Sequence, residues 1–523
     1  MKRFLFILLS LVLLTGCGQV GSEETQNNQY PDESGTVCTI VLSDEQITVD
    51  GQLASQDPQN GIYIANDIVY YPTGQDFTFG EGTEEDAHTP EEAAAHTVVH
   101  ITQPGVYQLS GHLSAGQIAI DLGEDAEDDP DAVVSLQLAG VDITCTVAPA
   151  IIFYNVYECG DKDNPTETVN LDQVGALVKL KDDTVNRESG SYVARIYEPD
   201  SVELSEDGSE VLDSKKLHKY DAAFYSRMSM RINGNTGILE IDAENEGLDS
   251  EMHLTINGGN IRIRSGNDGI NTNEDGVSVT TINGGSLSIT VTGETGEGDG
   301  IDSNGWLVIN GGTVTTASCG FSGDAGIDSD MGIHINGGTV LATGNMLDQI
   351  AESDQTYAVF QFTQPQAGGT LYQLRNEAGD VVLEHQPVND FSCFIVSSDL
   401  LVPGEYNLWC GDTQLSVATG GMGGFRPGGF GGGMMPPDDE RPEMSENMPD
   451  SMPEFTPDHM PEGIQQFTPE NAPDDMPEFV PGTPPQGDPG RFHGESEIKV
   501  EGATHFTIQQ GGNQFQVISN SNQ

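Results

Sequence analysis

Four copies of Ile-Asn-Gly-Gly, starting at Ile256, Ile282, Ile309 and Ile335, restrict what this chain can fold into more than any other feature. Their spacings are 26, 27 and 26 residues, and a degenerate copy at Ile232 lies 24 residues before the first. A period of this size marks a chain that stacks on itself, one structural unit per repeat. Each copy leads into a short segment where apolar residues alternate with polar ones: Ile261 and Ile263, Leu287 and Ile289, Val314 and Thr316, Val340 and Ala342. Alternation with period two belongs to a strand with one face in the core. Asn-Gly and Gly-Gly turn the corners, because glycine enters positive φ at little cost. The expectation is an all-β chain: a right-handed parallel β-helix with a β-rich C-terminal cap or small domain. A β-propeller is the competing architecture, although its blades repeat at roughly 40 residues.

Each repeat also carries a turn with an acidic residue, a glycine and an aliphatic residue. These are Glu246-Gly247-Leu248-Asp249, Asp268-Gly269-Ile270-Asn271, Asp299-Gly300-Ile301-Asp302 and Gly326-Ile327-Asp328, with a weaker form at Asp348-Gln349-Ile350. Equivalent positions in stacked strands lie about 4.8 Å apart. Two carboxylates at that distance repel by roughly 3.5 kcal/mol at an effective dielectric near 20. A column of them requires either free water or a hard cation, and oxygen donors of this kind suit calcium. A solvated acidic edge is the plain alternative.

The remaining segments divide by composition. Residues 1–17 have the pattern of a lipoprotein signal peptide: Lys2 and Arg3, an apolar run from Phe4 to Leu14, and Leu14-Thr15-Gly16-Cys17, with Cys17 the expected lipidation site. Residues 18–35 form a polar tether. Residues 36–355 are assigned to the β-helix with inserted loops, most regular at 231–355. The inserts are 80–96 and about 197–221, the second carrying Lys215, Lys216, His218 and Lys219. Inserts in stacked repeats emerge on one face, and that face often binds. Residues 356–417 are denser in aromatic strands and read as a cap over the last repeat, where an open edge needs cover. Residues 418–490 are Gly/Pro/Met/acidic low complexity that cannot bury a core. Residues 491–523 return to short strands and are expected to join the cap.

The formal net charge is −64, from 19 basic and 83 acidic residues. That balance repels nucleic acid and favours cations, neutral sugars or acidic polymers bridged by cations. Beyond Cys17 there are six cysteines. Cys145 with Cys159 and Cys393 with Cys410 are close enough in sequence to pair, and free thiols are the alternative. Nothing in their spacing suggests zinc.

Four further side chains are candidate ligand contacts. Arg262 and Arg264 flank Ile263 on one strand face and could grip carboxylates, or could neutralise neighbouring acids. Trp306 could offer a flat surface to a sugar ring, or could be a corner packing residue. His253 holds the equivalent place two repeats earlier and could equally be an ordinary surface histidine. No catalytic residue is assigned. Acidic residues are too abundant to single out a hydrolytic pair, and no lysine occurs between Lys219 and Lys499. A lyase would need a base such as Arg262 or Arg264 on the repeats, or Lys179, Lys181 or a lysine of the 215–219 cluster reaching in from a loop.

The stretch Pro104-Gly105-Val106-Tyr107-Gln108-Leu109-Ser110-Gly111, the stretch Leu138-Ala139-Gly140-Val141-Asp142-Ile143, and the repeated corners together resemble cell-surface carbohydrate-binding proteins of clostridia and their relatives. The resemblance covers most of 36–417 and the last strands. It implies a β-helix akin to pectate lyases, bound calcium, and affinity for cellulose-like or acidic plant polysaccharide. By position in the motif it assigns a metal-site role to Asp268, Asn271, Asp299, Asp302 and Asp328. Asp249, Asp324 and Asp330 join them as candidate ligands from the same turns. The expected partners are therefore polysaccharide and, through the N-terminal lipid, a membrane, with the chain on the extracytoplasmic side. The runner-up functions are a calcium-dependent polysaccharide lyase of pectate type and an adhesin or structural surface spacer.

Overall fold

The computed structural model describes residues 36–419 and 502–518. The signal segment with Cys17, the tether, nearly all of 418–490 and the expected strand at 497–500 lie outside these residues.

The described residues are all-β apart from a helix at Pro90–Ala94 and a 3₁₀ turn at Glu124–Asp128. The helix falls inside the insert expected at 80–96. Thr89 and Glu92 cap it reciprocally, side chain to backbone, which satisfies two N–H groups that a free helix end would leave open.

In the repeat region each strand after an Ile-Asn-Gly-Gly corner pairs in parallel with its counterpart one repeat on. Asn260–Ser265 pairs with Ser286–Val291, which pairs with Thr313–Ala317, which pairs with Thr339–Gly344. The strands that end in the corner isoleucines do the same: Leu254–Ile256, Val279–Ile282, Trp306–Ile309 and Gly332–Ile335. Register is kept at every step, so Ile256, Ile282, Ile309 and Ile335 stack, each no more than 1% exposed. Full burial of an isoleucine is worth about 1.5–3 kcal/mol, and the repeat multiplies it.

The corner itself explains its own sequence. Asn257 Nδ2 donates to Asn233 Oδ1 at 2.9 Å, Asn283 to Asn257 at 2.8 Å, Asn310 to Asn283 at 2.9 Å, and Asn336 to Asn310 at 3.0 Å. An amide is both donor and acceptor, so an asparagine at each corner can pass such a chain along the stack. The second glycine of each corner has φ between +81° and +93° (Gly259, Gly285, Gly312, Gly338). A Cβ on Gly285 would sit 2.5 Å from the Gly259 carbonyl oxygen.

A second, seven-stranded sheet runs Ile62–Ala65, Thr97–Ile101, Gly116–Asp121, Ile151–Asn155, Ala222–Ser226, Glu246–Ser250 and Ile270–Thr272. Its first pair is antiparallel and the rest are parallel. This antiparallel pair falls in the less regular part of the β-helix expected over 36–355, whose most regular part is 231–355. Val37–Leu42, too, pairs in parallel with Gly105–Leu113 but antiparallel with Thr48–Val49. A short connection, which only antiparallel neighbours permit, joins Val37–Leu42 to Thr48–Val49, whereas the long insert 66–96 returns Thr97–Ile101 beside Ile62–Ala65.

After the last repeat, Thr339–Gly344 pairs antiparallel with Phe391–Ser397. That strand pairs with Tyr357–Gln366, which pairs with Gly512–Ile518. A separate core gathers here around Phe360, Tyr372, Phe391, Phe506 and Phe515. The free edge of the repeat is thereby occupied by backbone partners.

The six described cysteines are all free thiols, so neither suggested pairing forms. Cys145 and Cys393 are buried, each on a different strand packed into core, whereas their suggested partners are only half-buried.

Candidate functional site

The acidic turns at 246–249 and 268–271 lie on the last strands of the second sheet, and those at 299–302 and 326–328 continue beyond it through a single bridge and backbone bonds. Gly247, Gly269, Gly300 and Gly326 follow one another up the stack so closely that a Cβ on Gly247 or Gly269 would meet the next glycine's carbonyl oxygen at 2.5 Å. The aliphatic residue after each glycine (Leu248, Ile270, Ile301, Ile327) is fully buried in the core. Strand alternation then turns the following residue away from that core.

Those following residues form a column. Tyr225, Asp249 and Asn271 are in register. Backbone bonds extend it: the Asp302 N–H donates to the Ile270 carbonyl at 2.8 Å and the Asp328 N–H to the Ile301 carbonyl at 2.7 Å. The acid before each glycine makes a second column. The Asp299 N–H donates to Asp268 Oδ1 at 2.6 Å, and the Ala325 N–H to Asp299 Oδ1 at 2.5 Å. Asn271 Nδ2 donates to Glu246 Oε1 at 3.2 Å and Asn273 Nδ2 to Asp249 Oδ1 at 2.9 Å.

These bonds use only part of the oxygen on the face. Glu246 Oε2, Asp249 Oδ2, Asn271 Oδ1 and Asp328 Oδ1 are buried and take no hydrogen bond. Burial pushes the Asp249, Glu246 and Asp299 carboxyls well above the usual range, and neighbouring carboxylates push the same way. Asp268, Asp302 and Asp328 are raised to about 7, burial again leading. Asp348 is raised by burial too, and its Oδ2 accepts from the Ser329 N–H at 3.1 Å. Without a counter-ion, the face holds protons that an exposed carboxylate would have lost.

Of the eight residues expected to ligate metal, Asp249, Asn271, Asp302 and Asp328 fall in the first column and Asp268 and Asp299 in the second. Asp330 stands at the exposed rim, its N–H on the Ser303 carbonyl at 3.1 Å. Asp324 turns to the Gly298 N–H at 2.7 Å and to the Ser322 hydroxyl. Glu246 and Asp348 belong to the same face and were not among the eight. Each occupies an acidic position of a repeated turn, which is the signal that could have found them. Among the described residues no group of three or more His, Cys, Asp or Glu side chains is arranged to hold a metal ion. The donors are nevertheless all oxygen, and four of them lack a partner, which matches the chemistry of a hard divalent cation.

The expected ligand contacts are placed differently. Arg262 Nη1 is 2.7 Å from Glu240, and Arg264 bonds Asp242 at 2.9 Å and Glu294 at 3.1 Å. Glu240 and Asp242 are their register partners one repeat back, so both arginines neutralise neighbours. His253 is not at the surface: it is 2% exposed and its Nδ1 accepts from the Val279 N–H at 3.1 Å. Burial lowers its pKa to about 4. Trp306 is half-buried, stacked in register between Val279 and Gly332 on the other sheet.

A cavity of about 380 Å³ opens on the same sheet as the acidic columns, a few strands earlier. His100, Ala119, Ile152, Tyr225 and Asp249 are successive register partners, so cavity and acidic face share one column. Its roof is the strand Lys216–Tyr220, which pairs antiparallel with Val193–Tyr197. This is the insert expected at about 197–221. Lys216 Nζ bonds both Glu251 oxygens at 3.0 and 3.2 Å, and the Tyr225 hydroxyl donates to the same carboxylate, which pins the roof to the sheet. Tyr154, Tyr220 and Tyr225 line the interior. The sequence does not reveal Tyr154, Tyr225 or Arg227, because the strands that join them pair residues such as Ile152 and Tyr225, far apart in the chain and outside the repeat.

Residues 95–360 match the family described as carbohydrate-binding domain-containing protein. A carbohydrate-binding domain-containing protein of Acetivibrio thermocellus is 30% identical over 168 residues, which is 32% of this chain and 45% of that one. The chain thus spans less than half the length of this curated relative. Among solved structures, a polysaccharide lyase-like protein from C. thermocellum, as a gadolinium derivative, aligns with 61% of this chain and 94% of its own at 20% identity and a TM-score of 0.33.

Proposed function

We propose, from the premise that this chain belongs to the carbohydrate-binding domain-containing protein family, that it is a calcium-dependent polysaccharide-binding lipoprotein built on a right-handed parallel β-helix. The observation that carries this reading is the double column of acidic side chains with four buried, unpartnered oxygens at Glu246, Asp249, Asn271 and Asp328. Such a face is unfavourable as free carboxylates. Asp249, Asn271, Asp268, Asp299, Asp302 and Asp328 would hold the ions. Bound calcium would supply positive charge to the column and an open coordination position for sugar or uronate oxygens. The residues themselves fix the spacing: the glycine column sets the rise, and the hydrogen bonds from Asn271, Asn273 and the Asp299 backbone aim the carboxylates.

The β-helix reading is supported by the unbroken parallel register from Asn260 to Gly344. The surface location is supported by the first 17 residues, with Cys17 as the attachment point and the polysaccharide on the outer side of the membrane. Labelling of the full chain with a radioactive fatty acid, lost in Cys17→Ser, tests that part.

The experiment for binding is a polysaccharide pull-down in calcium and in chelator, paired with calorimetric calcium titration. Retention on cellulose or polygalacturonate in calcium alone is the expected result. No calcium uptake by the folded protein ends the metal reading. A polysaccharide lyase is the second reading. Its favouring observation is that His218, Tyr220 and Arg227 meet at one cavity, which brings proton-transfer groups beside a cation. Absorbance from unsaturated products on polygalacturonate, abolished in His218→Ala, would establish it.

A further inference from the structure

The 380 Å³ cavity falls within the range of about 300–1,000 Å³ usual for small-molecule sites. Lys216, Lys219 and Arg227 line it together with Asp67 and Asp121. Lys215, Lys216, Lys219 and Arg227 are four of 19 basic residues in a chain of net charge −64, and they lie within 13 positions. Lys216 and Lys219 are answered by Glu251 and by Asp221 at 2.6 Å. Arg227 is different. It is exposed at the cavity, and its one side-chain hydrogen bond among the described residues runs from Nη1 to Asn155 Oδ1 at 3.1 Å. Among the described residues no carboxylate pairs with it, although acids outnumber bases about fourfold.

Asn155 is itself held, its Nδ2 donating to Asp121 Oδ1 at 2.8 Å. The guanidinium is thus aimed by a neutral amide and keeps its charge for another partner. A planar fork of this kind matches a carboxylate with two parallel hydrogen bonds. Beside it stands the half-buried Tyr154, packed edge-on against the buried Tyr220, whose hydroxyl is fixed by His218 Nδ1 at 2.6 Å. One aromatic ring among a few fixed polar groups suits a pyranose ring.

We propose that this cavity is a subsite for one carboxylate-bearing sugar unit, with the carboxylate on Arg227 and the ring against Tyr154. It rests on the carbohydrate-binding reading and adds where an acidic glycan is gripped without a bridging metal. The shared column of register partners lets the same glycan continue toward the acidic face.

The test is calorimetric titration of the full chain, in calcium, with trigalacturonate and with cellotriose, for wild type, Arg227→Ala and Arg227→Gln. Glutamine can still reach Asn155, and both variants are checked for unchanged melting. The expected result is trigalacturonate binding that both variants weaken by at least about tenfold, the scale of a lost charged hydrogen-bond pair. Trigalacturonate binding unchanged in both variants overturns this subsite and leaves the carbohydrate-binding reading standing. Cellotriose binding that is equally weakened by the variants overturns the choice of an acidic sugar. No binding of either sugar by wild type, with insoluble polysaccharide also unretained, overturns both.

Discussion

The backbone N–H of Asp299 donates to the carboxylate of Asp268 at 2.6 Å, one repeat below it. This bond joins two consecutive acidic turns and places their side chains on one face. Asp299 repeats the gesture toward the Ala325 N–H. The acids therefore serve the stack as acceptors while repelling one another, and a cation would relieve the second effect without losing the first.

Chelation should expose that conflict. We expect calcium to raise the melting temperature of the wild-type chain, and chelator to lower it. Asp302→Asn removes one carboxylate from the column but keeps an oxygen donor. In chelator it should melt higher than wild type by the equivalent of about 1–3 kcal/mol. In calcium it should gain less from the ion. A melting temperature of Asp302→Asn that tracks wild type in both buffers would count against a charged column.

The asparagine corner predicts a loss that does not depend on metal. Asn283 donates to Asn257 and accepts from Asn310, so Asn283→Ala removes two side-chain bonds at once. Asn283 is exposed, and water replaces part of each bond. A net loss of about 1–2 kcal/mol is expected in urea denaturation, equal with and without calcium.

Gly285→Ala probes the same corner through the backbone. It places a Cβ at φ +83° and 2.5 Å from the Gly259 carbonyl oxygen. The left-handed conformation alone costs a non-glycine residue about 1–2 kcal/mol, and the contact forces the two repeats apart. Destabilisation of about 2 kcal/mol or more is expected. Gly276→Ala, also at positive φ but with open space around it, should cost less. Equal costs for the two would show that close approach of the repeats contributes nothing.

Glu188 gives the pH prediction. It stands in register between Ile143 and Ile241, in an otherwise aliphatic stack, and neither carboxyl oxygen has a partner. Burial holds its pKa well above the ordinary 4.5. The folded chain therefore keeps a proton that the unfolded chain releases. Stability from this group is full below about pH 4.5 and falls as pH rises toward the folded value, by about 1.4 kcal/mol per unit. Glu188→Leu should flatten that fall and raise the melting temperature at neutral pH. A wild-type stability that rises from pH 5 to pH 7, unaffected by Glu188→Leu, would rule the explanation out.

The repeat, its strands and its corners are legible in the order of residues alone, because each depends on residues only one repeat apart. Alternation placed Ile261 and Ile263 inward, and the recurrence of Asp-Gly-Ile put Asp268, Asp299 and Asp302 on a common face. Tertiary structure decided what those residues meet. Whether Arg262 and Arg264 were available depended on Glu240 and Asp242, 22 residues away, and register brought them together. His253 looked like a surface group, but residues packed from outside the repeat bury it, Gly160 among them. The cavity was beyond reach for the same reason: the strand Lys216–Tyr220 has no repeat of its own, and only folding lays it across Tyr154 and Arg227. Periodicity reports contacts that recur along the chain; an unrepeated insert makes its contacts once, and those are fixed by packing alone.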